Sequence, residues 1–144
     1  MQVSVLLQSK GSEVVTVPPE RLVTEVLDVL VQHRIGAVVV TSDGRTIDGV
    51  VSERDVVQAL AARGAGALGA TAGEVMATDV VTCEPDTTVE RLMEVMTECR
   101  SRHVPVLVDG EMVGLVSIGD VVKHRVATLE HEAQALQDYI TNPY

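Results

Sequence analysis

The chain has 144 residues, enough for a single compact domain or for two small halves sharing one core. Hydrophobic residues make up 46%, with no Phe or Trp and only two Tyr, so Val, Leu, Ile, Ala and Met must fill the interior, a composition that suits tightly packed β-branched strands. A formal net charge of -10 argues strongly against a general nucleic-acid binder, which needs a basic face, and disfavours anionic membrane surfaces.

In chain order, Val3, Leu6 and Leu7 are spaced for one or two turns of amphipathic helix, which Lys10-Gly11-Ser12 ends. The first ten residues show neither a basic leader nor a small-residue cleavage site, so no signal peptide is expected. Val14 to Val17 reads as a short extended segment, and Pro18-Pro19 stops it and opens a helix. Leu22, Val23, Val26, Leu27 and Leu30 share one face of that helix, which runs to about Arg34 before Gly36 breaks it. Ala37 to Val40 is a continuous apolar strand, Ser42-Asp43-Gly44-Arg45 a hairpin-like turn, and Ile47 to Val51 the return strand. Ser52 then opens a helix that fades in the Gly- and Ala-rich segment from Arg63 to Gly73, the natural linker between halves.

The second half repeats this order. Val80 to Cys83 is the extended piece and Pro85 stops it. Thr87 and Glu90 form a capping box for a helix whose core face is Val89, Leu92, Met93 and Met96. His103 to Val108 is a strand containing Pro105, Asp109-Gly110 the turn, and Met112 to Val116 the return strand. Thr16 and Thr82, Pro19 and Pro85, and Ala37 and His103 are each 66 positions apart; after the hairpin the offset is 65, as for Gly49 and Gly114 or Asp55 and Asp120, so one residue is gained or lost in the turn. The fold class expected is α+β: two β-α-β-β-α units packed with pseudo-twofold symmetry, each too small to bury its own sheet. The units divide as 1–66 with the N-terminal helix and 67–125, followed by a helical extension over 126–144. Val126, Leu129, Ala133, Leu136 and Ile140 line one side of that extension, which Pro143 closes, and the stripe reads as a packing or oligomer-forming element.

The most informative repeat is Gly49-Val50-Val51-Ser52-Glu53-Arg54-Asp55, matched by Gly114-Leu115-Val116-Ser117-Ile118-Gly119-Asp120. Each runs a buried strand into a helix capped by Ser. Ser-x-x-Asp alone is close to a capping box. The open N–H groups of a helix start also make a seat for phosphate, and the neighbouring carboxylate suits ribose hydroxyls, so the recurring phrase describes a nucleotide site.

These phrases, with Arg102-His103-Val104-Pro105-Val106 before the second hairpin, closely resemble a tandem pair of cystathionine-β-synthase (CBS) domains, or Bateman module, over about Val14 to Arg125. Glu53-Arg54-Asp55 resembles the variant of small stand-alone CBS-pair proteins. The resemblance implies a non-catalytic, regulatory, energy-sensing module that binds AMP, ADP, ATP, NAD or S-adenosylmethionine in two clefts between the copies, with no required cofactor. Carried onto this chain, it places Asp55 and Asp120 at the ribose hydroxyls and Ser52 and Ser117 at phosphate. Adenine would lie against Val15, Thr16 and Val17 or Val81, Thr82 and Cys83, with Ala37 and Val38 forming one wall. Arg54, Arg102 and His103 would bring positive charge to the phosphates. Gly36 and Pro105 complete the candidate ligand-binding set. Where the second copy has Arg102-His103 the first has Gly36-Ala37, and where the first has Glu53-Arg54 the second has Ile118-Gly119, so one cleft is expected to take a nucleotide and the other something different or nothing. The resemblance also implies a homodimer and an unidentified target protein.

Other chemistry finds little support. Cys83 and Cys99 are sixteen apart without a CxxC motif, so neither a disulfide framework nor a zinc site is expected, and a reducing cytoplasm is the default location. Cys83 has no base to activate it. His33, His124 and His131 lack the i, i+4 spacing of a helical metal pair, whereas His103 adjoins Arg102 at a strand start. An enzyme acting on a nucleotide lacks a recognisable base, metal set or nucleophile. The remaining alternative is an interaction or scaffold protein with vestigial clefts, assembled through its terminal helix.

Overall fold

A computed structural model describes residues 1–142, so Pro143, expected to close the last helix, lies outside the described residues. Helix α1 spans Val3–Lys10, strand β1 Thr16–Val17, helix α2 Val23–His33, strands β2 and β3 Ala37–Val40 and Gly49–Ser52, and helix α3 Glu53–Arg63. A 3-10 turn at Gly64–Gly69 and a one-turn helix α4, Ala72–Val75, lead into the second half: helix α5 Val89–Glu98, strands β4 and β5 His103–Val108 and Glu111–Ser117, and helix α6 Ile118–Thr141. Both repeats and the C-terminal helix are present, so the chain has the expected α+β architecture. Among the described residues no helix is long and apolar enough to cross a membrane.

In the first half, β1 pairs parallel with β2 and β2 antiparallel with β3. The second half keeps the equivalent hairpin register, with Ala37 opposite Ser52 matched by His103 opposite Ser117, and Val40 opposite Gly49 matched by Val106 opposite Gly114. The expected strand over Val80–Cys83 is absent; a single parallel bridge joins Cys83 to Val106. Proline explains the difference. Val39 donates its N–H to the Val15 carbonyl at 3.3 Å, but its counterpart 66 positions later is Pro105, which has no N–H to give. The β2–β3 turn is held by Asp43, whose carboxylate accepts the N–H groups of Arg45 and Thr46, each at 2.8 Å, and the hydroxyls of Thr46 and Thr41. Those donors, the Arg45 N–H first, hold its carboxyl well below the usual range.

Alternation along the strands feeds two kinds of core. Val38, Val40 and Val51 pack with Val23, Val26 and Leu30 of α2, while Ala37, Val39 and Val50 form a separate cluster with Val80, Met112 and Leu115 where the halves meet. The second core joins Leu92 and Met96 of α5 to Val104, Val106 and Val116; Met93, expected inside, is exposed.

Each half lends its leading segment to the other. Val3 and Leu6 of α1 are buried in the second core, and Ala70 and Ala72 in the first. The backbone repeats the exchange: Val3 N–H bonds Thr87 O and Val89 N–H bonds Met1 O, just as Ala72 N–H bonds Arg21 O and Val23 N–H bonds Ala70 O. Burying two side chains such as Val3 and Leu6 contributes about 3–6 kcal/mol, which fixes α1 although it is short. The Gly/Ala segment expected as a plain linker is therefore structured, because it is the second half's leading segment. Likewise α2 starts at Val23, four residues beyond Pro19, where the chain first meets Ala70.

Candidate functional site

Both Ser-x-x-Asp phrases form complete capping boxes. Asp55 Oδ2 accepts the Ser52 N–H and hydroxyl, each at 2.8 Å, and the Asp55 N–H bonds Ser52 Oγ at 3.3 Å. Ser117 and Asp120 repeat this at 2.8, 3.0 and 3.2 Å. The first N–H of α3 is also taken, by Gly36 O at 3.0 Å, as that of α6 is by Arg102 O at 2.8 Å. The helix starts are thus less open to a phosphate than the sequence suggests: two of the first three amides of α3 are occupied. What each box leaves available is Oδ1 of its carboxylate, which makes no hydrogen bond among the described residues.

A cleft of about 600 Å³ lies between the halves, bounded by Gly36 and Ser52–Asp55 on one side and by Ala77, Asp79–Val81 and Cys99–His103 on the other. Its size falls within the ~300–1,000 Å³ usual for small-molecule sites. Arg54, Arg100 and Arg102 converge there and take part in no ion pair among the described residues. Glu53, Asp55 and Asp79 balance them, so the cleft is locally neutral on a chain of net charge -10. Val50, Val57, Val80 and Val81 supply an apolar wall. A second depression, about 700 Å³ between α5 and α6, carries Glu90, Glu94, Glu98 and Glu132, whose charge opposes an anion.

His103 stands where the halves touch. A Cβ on Gly36 would lie 3.3 Å from His103 Nε2 and 3.7 Å from Glu53 Oε1, so the ring lies close against this backbone and a side chain there would press on it by a few tenths of an ångström. Burial lowers the imidazole pKa, Glu53 and Asp120 oppose that, and Lys10 and Arg102 reinforce it; the net direction is down, favouring the neutral ring. Cys83 is half-buried, and desolvation, with the charge of Glu84 added, pushes its thiol up to about 11, so it stays protonated at neutral pH.

Of the candidate residues, Gly36, Ser52, Arg54, Asp55, Val81, Arg102 and His103 line the cleft. Val17, Ala37, Val38 and Pro105 are buried and do not line the cleft: Val17 and Val38 pack in the first core, Ala37 packs at the junction of the halves, and Pro105 accepts the Cys83 N–H through its carbonyl. Cys83 packs on the second core, and Val15, Thr16, Thr82, Ser117 and Asp120 lie outside the cleft. Arg100 was missed. It follows α5 in the left-handed region at φ 51°, as Arg34 follows α2 at φ 54°, so the 66-residue offset marked it as a repeated feature. At the second phrase, Lys10 Nζ lies 2.6 Å from Asp120 Oδ2 and 2.7 Å from Leu115 O. Burial works against ionisation of Asp120, but the bonds from Lys10 and Ser117 outweigh it and hold the carboxyl below its ordinary value. Among the described residues no group of three His, Cys, Asp or Glu is placed to hold a metal ion.

The CBS domain family model matches twice, over residues 10–62 and 72–127. The chain belongs to the CBS-domain family. It is 37% identical over 119 residues to the mitochondrial CBS domain-containing protein CBSX3 of Arabidopsis thaliana, covering 80% of this chain and 58% of that one. A crystal structure of a CBS-domain containing protein from Agrobacterium tumefaciens superposes with a TM-score of 0.84 at 45% identity, covering 87% of this chain and 99% of that one. A CBS domain protein from Pyrobaculum aerophilum, complexed with AMP, gives a TM-score of 0.77 at 31% identity over 90% of this chain and 97% of its own. In this CBS pair, both copies of the repeated phrase lie within the matched segments.

Proposed function

We propose that this CBS pair is a non-catalytic regulatory module that binds an adenosine-containing nucleotide, AMP in the first instance, between its repeats. The observation that carries this reading is the convergence of Arg54, Arg100 and Arg102 with the free Oδ1 of Asp55 in one cleft of nucleotide size. Asp55 accepts the ribose hydroxyls, the arginines hold the phosphate through charge-assisted bonds, and Val80 and Val81 cover the base. The AMP complex of the Pyrobaculum protein supports the ligand class. Because the cleft walls come from different repeats, ligand favours whichever packing brings them together, and a partner protein in the cytoplasm reads that shift. Leu136 and Ile140 on α6 are 63% and 70% exposed, which supports a homodimer that covers this stripe.

Thermal unfolding with AMP, ADP, ATP, NAD and S-adenosylmethionine tests the reading. A ligand at a hundred times its Kd adds about 2.7 kcal/mol and raises the midpoint by several degrees, and Arg102→Ala abolishes the shift. No shift with any of them at millimolar concentration, together with a dimer that collapses on removal of residues after Ala127, would favour the scaffold reading.

A further inference from the structure

We propose that the two pseudo-equivalent carboxylates are not equally open to ligand: Lys10 pairs with Asp120 through Oδ2 and neutralises it, so the chain binds one nucleotide, at Asp55. This rests on the nucleotide reading above and adds its stoichiometry and the residue that sets it. The two capping boxes match atom for atom, yet Asp55 Oδ2 takes two donors, both from Ser52, whereas Asp120 Oδ2 takes three. The third is the Lys10 ammonium, at 2.6 Å, which is fixed from its other side by Leu115 O at 2.7 Å. The exchange of leading segments creates the inequality. The segment after α4 brings Asp79 to the first cleft, while the C-terminal end of α1 brings Lys10 to the second phrase. A ribose hydroxyl offered to the remaining Oδ1 of Asp120 meets a carboxylate whose charge the Lys10 ammonium already neutralises, whereas Asp55 makes no ion pair among the described residues and keeps its charge for the ligand.

Isothermal titration of AMP into the full-length chain decides it. Wild type binds one AMP per chain, and Asp55→Asn weakens that event about ten- to hundredfold, the range for losing hydrogen bonds to a charged group. Lys10→Met keeps the aliphatic stem, removes the charge and opens a second site. Adding Asp120→Asn to Lys10→Met removes that second site again. Two AMP per wild-type chain of comparable affinity, or a single site in Lys10→Met, overturns the proposal while leaving the nucleotide reading standing. No AMP binding by wild type or Lys10→Met overturns both. Lys10 sits at the exposed end of α1, and wild-type stoichiometry tests the inequality independently of any variant.

Discussion

The glycines that open the repeated phrases make the same demand on different neighbours, and Gly→Ala at each should cost different amounts. A Cβ at Gly49 would lie 2.6 Å from Met76 Sδ and 2.7 Å from Ala77 O; at Gly114 it would lie 2.6 Å from Leu7 Cδ2 and 3.2 Å from Leu7 Cδ1. Methionine and leucine side chains can rotate away, but the Ala77 carbonyl cannot without lengthening its 3.0 Å bond from the Val50 N–H. Overpacking costs about 1–3 kcal/mol, and replacing glycine within a strand returns about 0.5–1 kcal/mol at either position. Gly49→Ala is then expected to destabilise by about 2 kcal/mol and Gly114→Ala by about 1 kcal/mol or less. With a urea slope of about 2 kcal/mol per molar, the first midpoint falls by about 1 M and the second by half that or less. Because Val50 and Ala77 both line the cleft, Gly49→Ala should also weaken nucleotide binding. Equal losses, or a larger loss at Gly114, would refute the claim that the backbone oxygen decides the cost.

His103 has a lowered folded pKa, so its neutral form contributes stability that is complete above the unfolded value near 6.5 and is lost as pH falls through the folded value. Urea titrations from pH 7.5 to 5 should show wild type losing stability relative to His103→Gln; a constant difference would mean that burial is not the governing influence. Asp120, also lowered, contributes fully above about 3.8, and wild type should lose that advantage over Lys10→Met only under stronger acid, as the melting temperature below pH 4 will report. Iodoacetamide at pH 8 should modify exposed Cys99 at least about a hundredfold faster than Cys83, as mass mapping of the peptides will show, because so little of Cys83 is thiolate. Ser52→Ala removes one member of a capping box and should cost about 1 kcal/mol in chemical unfolding, with a neutral result pointing to compensation by water.

Much of the architecture was legible because the chain states it twice. The matching offsets of Ala37 and His103, and of Ser52 and Ser117, become identical places in two hairpins. The strand expected over Val80–Cys83 was the exception, although Pro105 carried the signal: a residue without an N–H standing where Val39 donates cannot continue the pairing. The candidate site was legible only where local sequence determines it. Ser52, Asp55 and Arg102 lie beside elements their own neighbours define, and they do converge. Strand alternation limits the reach of Val17 and Val38, which apolar character alone did not reveal. Lys10 was invisible because it reaches Asp120 across 110 positions, through a helix whose place depends on the other half's interior. Met93 was placed inside by helical spacing, but it lines the open depression between α5 and α6 and stays exposed.

The trading of leading segments means that neither half contains everything its own interior requires. A polypeptide divided near Gly69 would give one fragment lacking Ala70 and Ala72 and another lacking Val3 and Leu6, each with a vacancy shaped for a piece the other carries. Such fragments can fill those vacancies by meeting, so mixing the two halves is expected to restore packing that neither has alone.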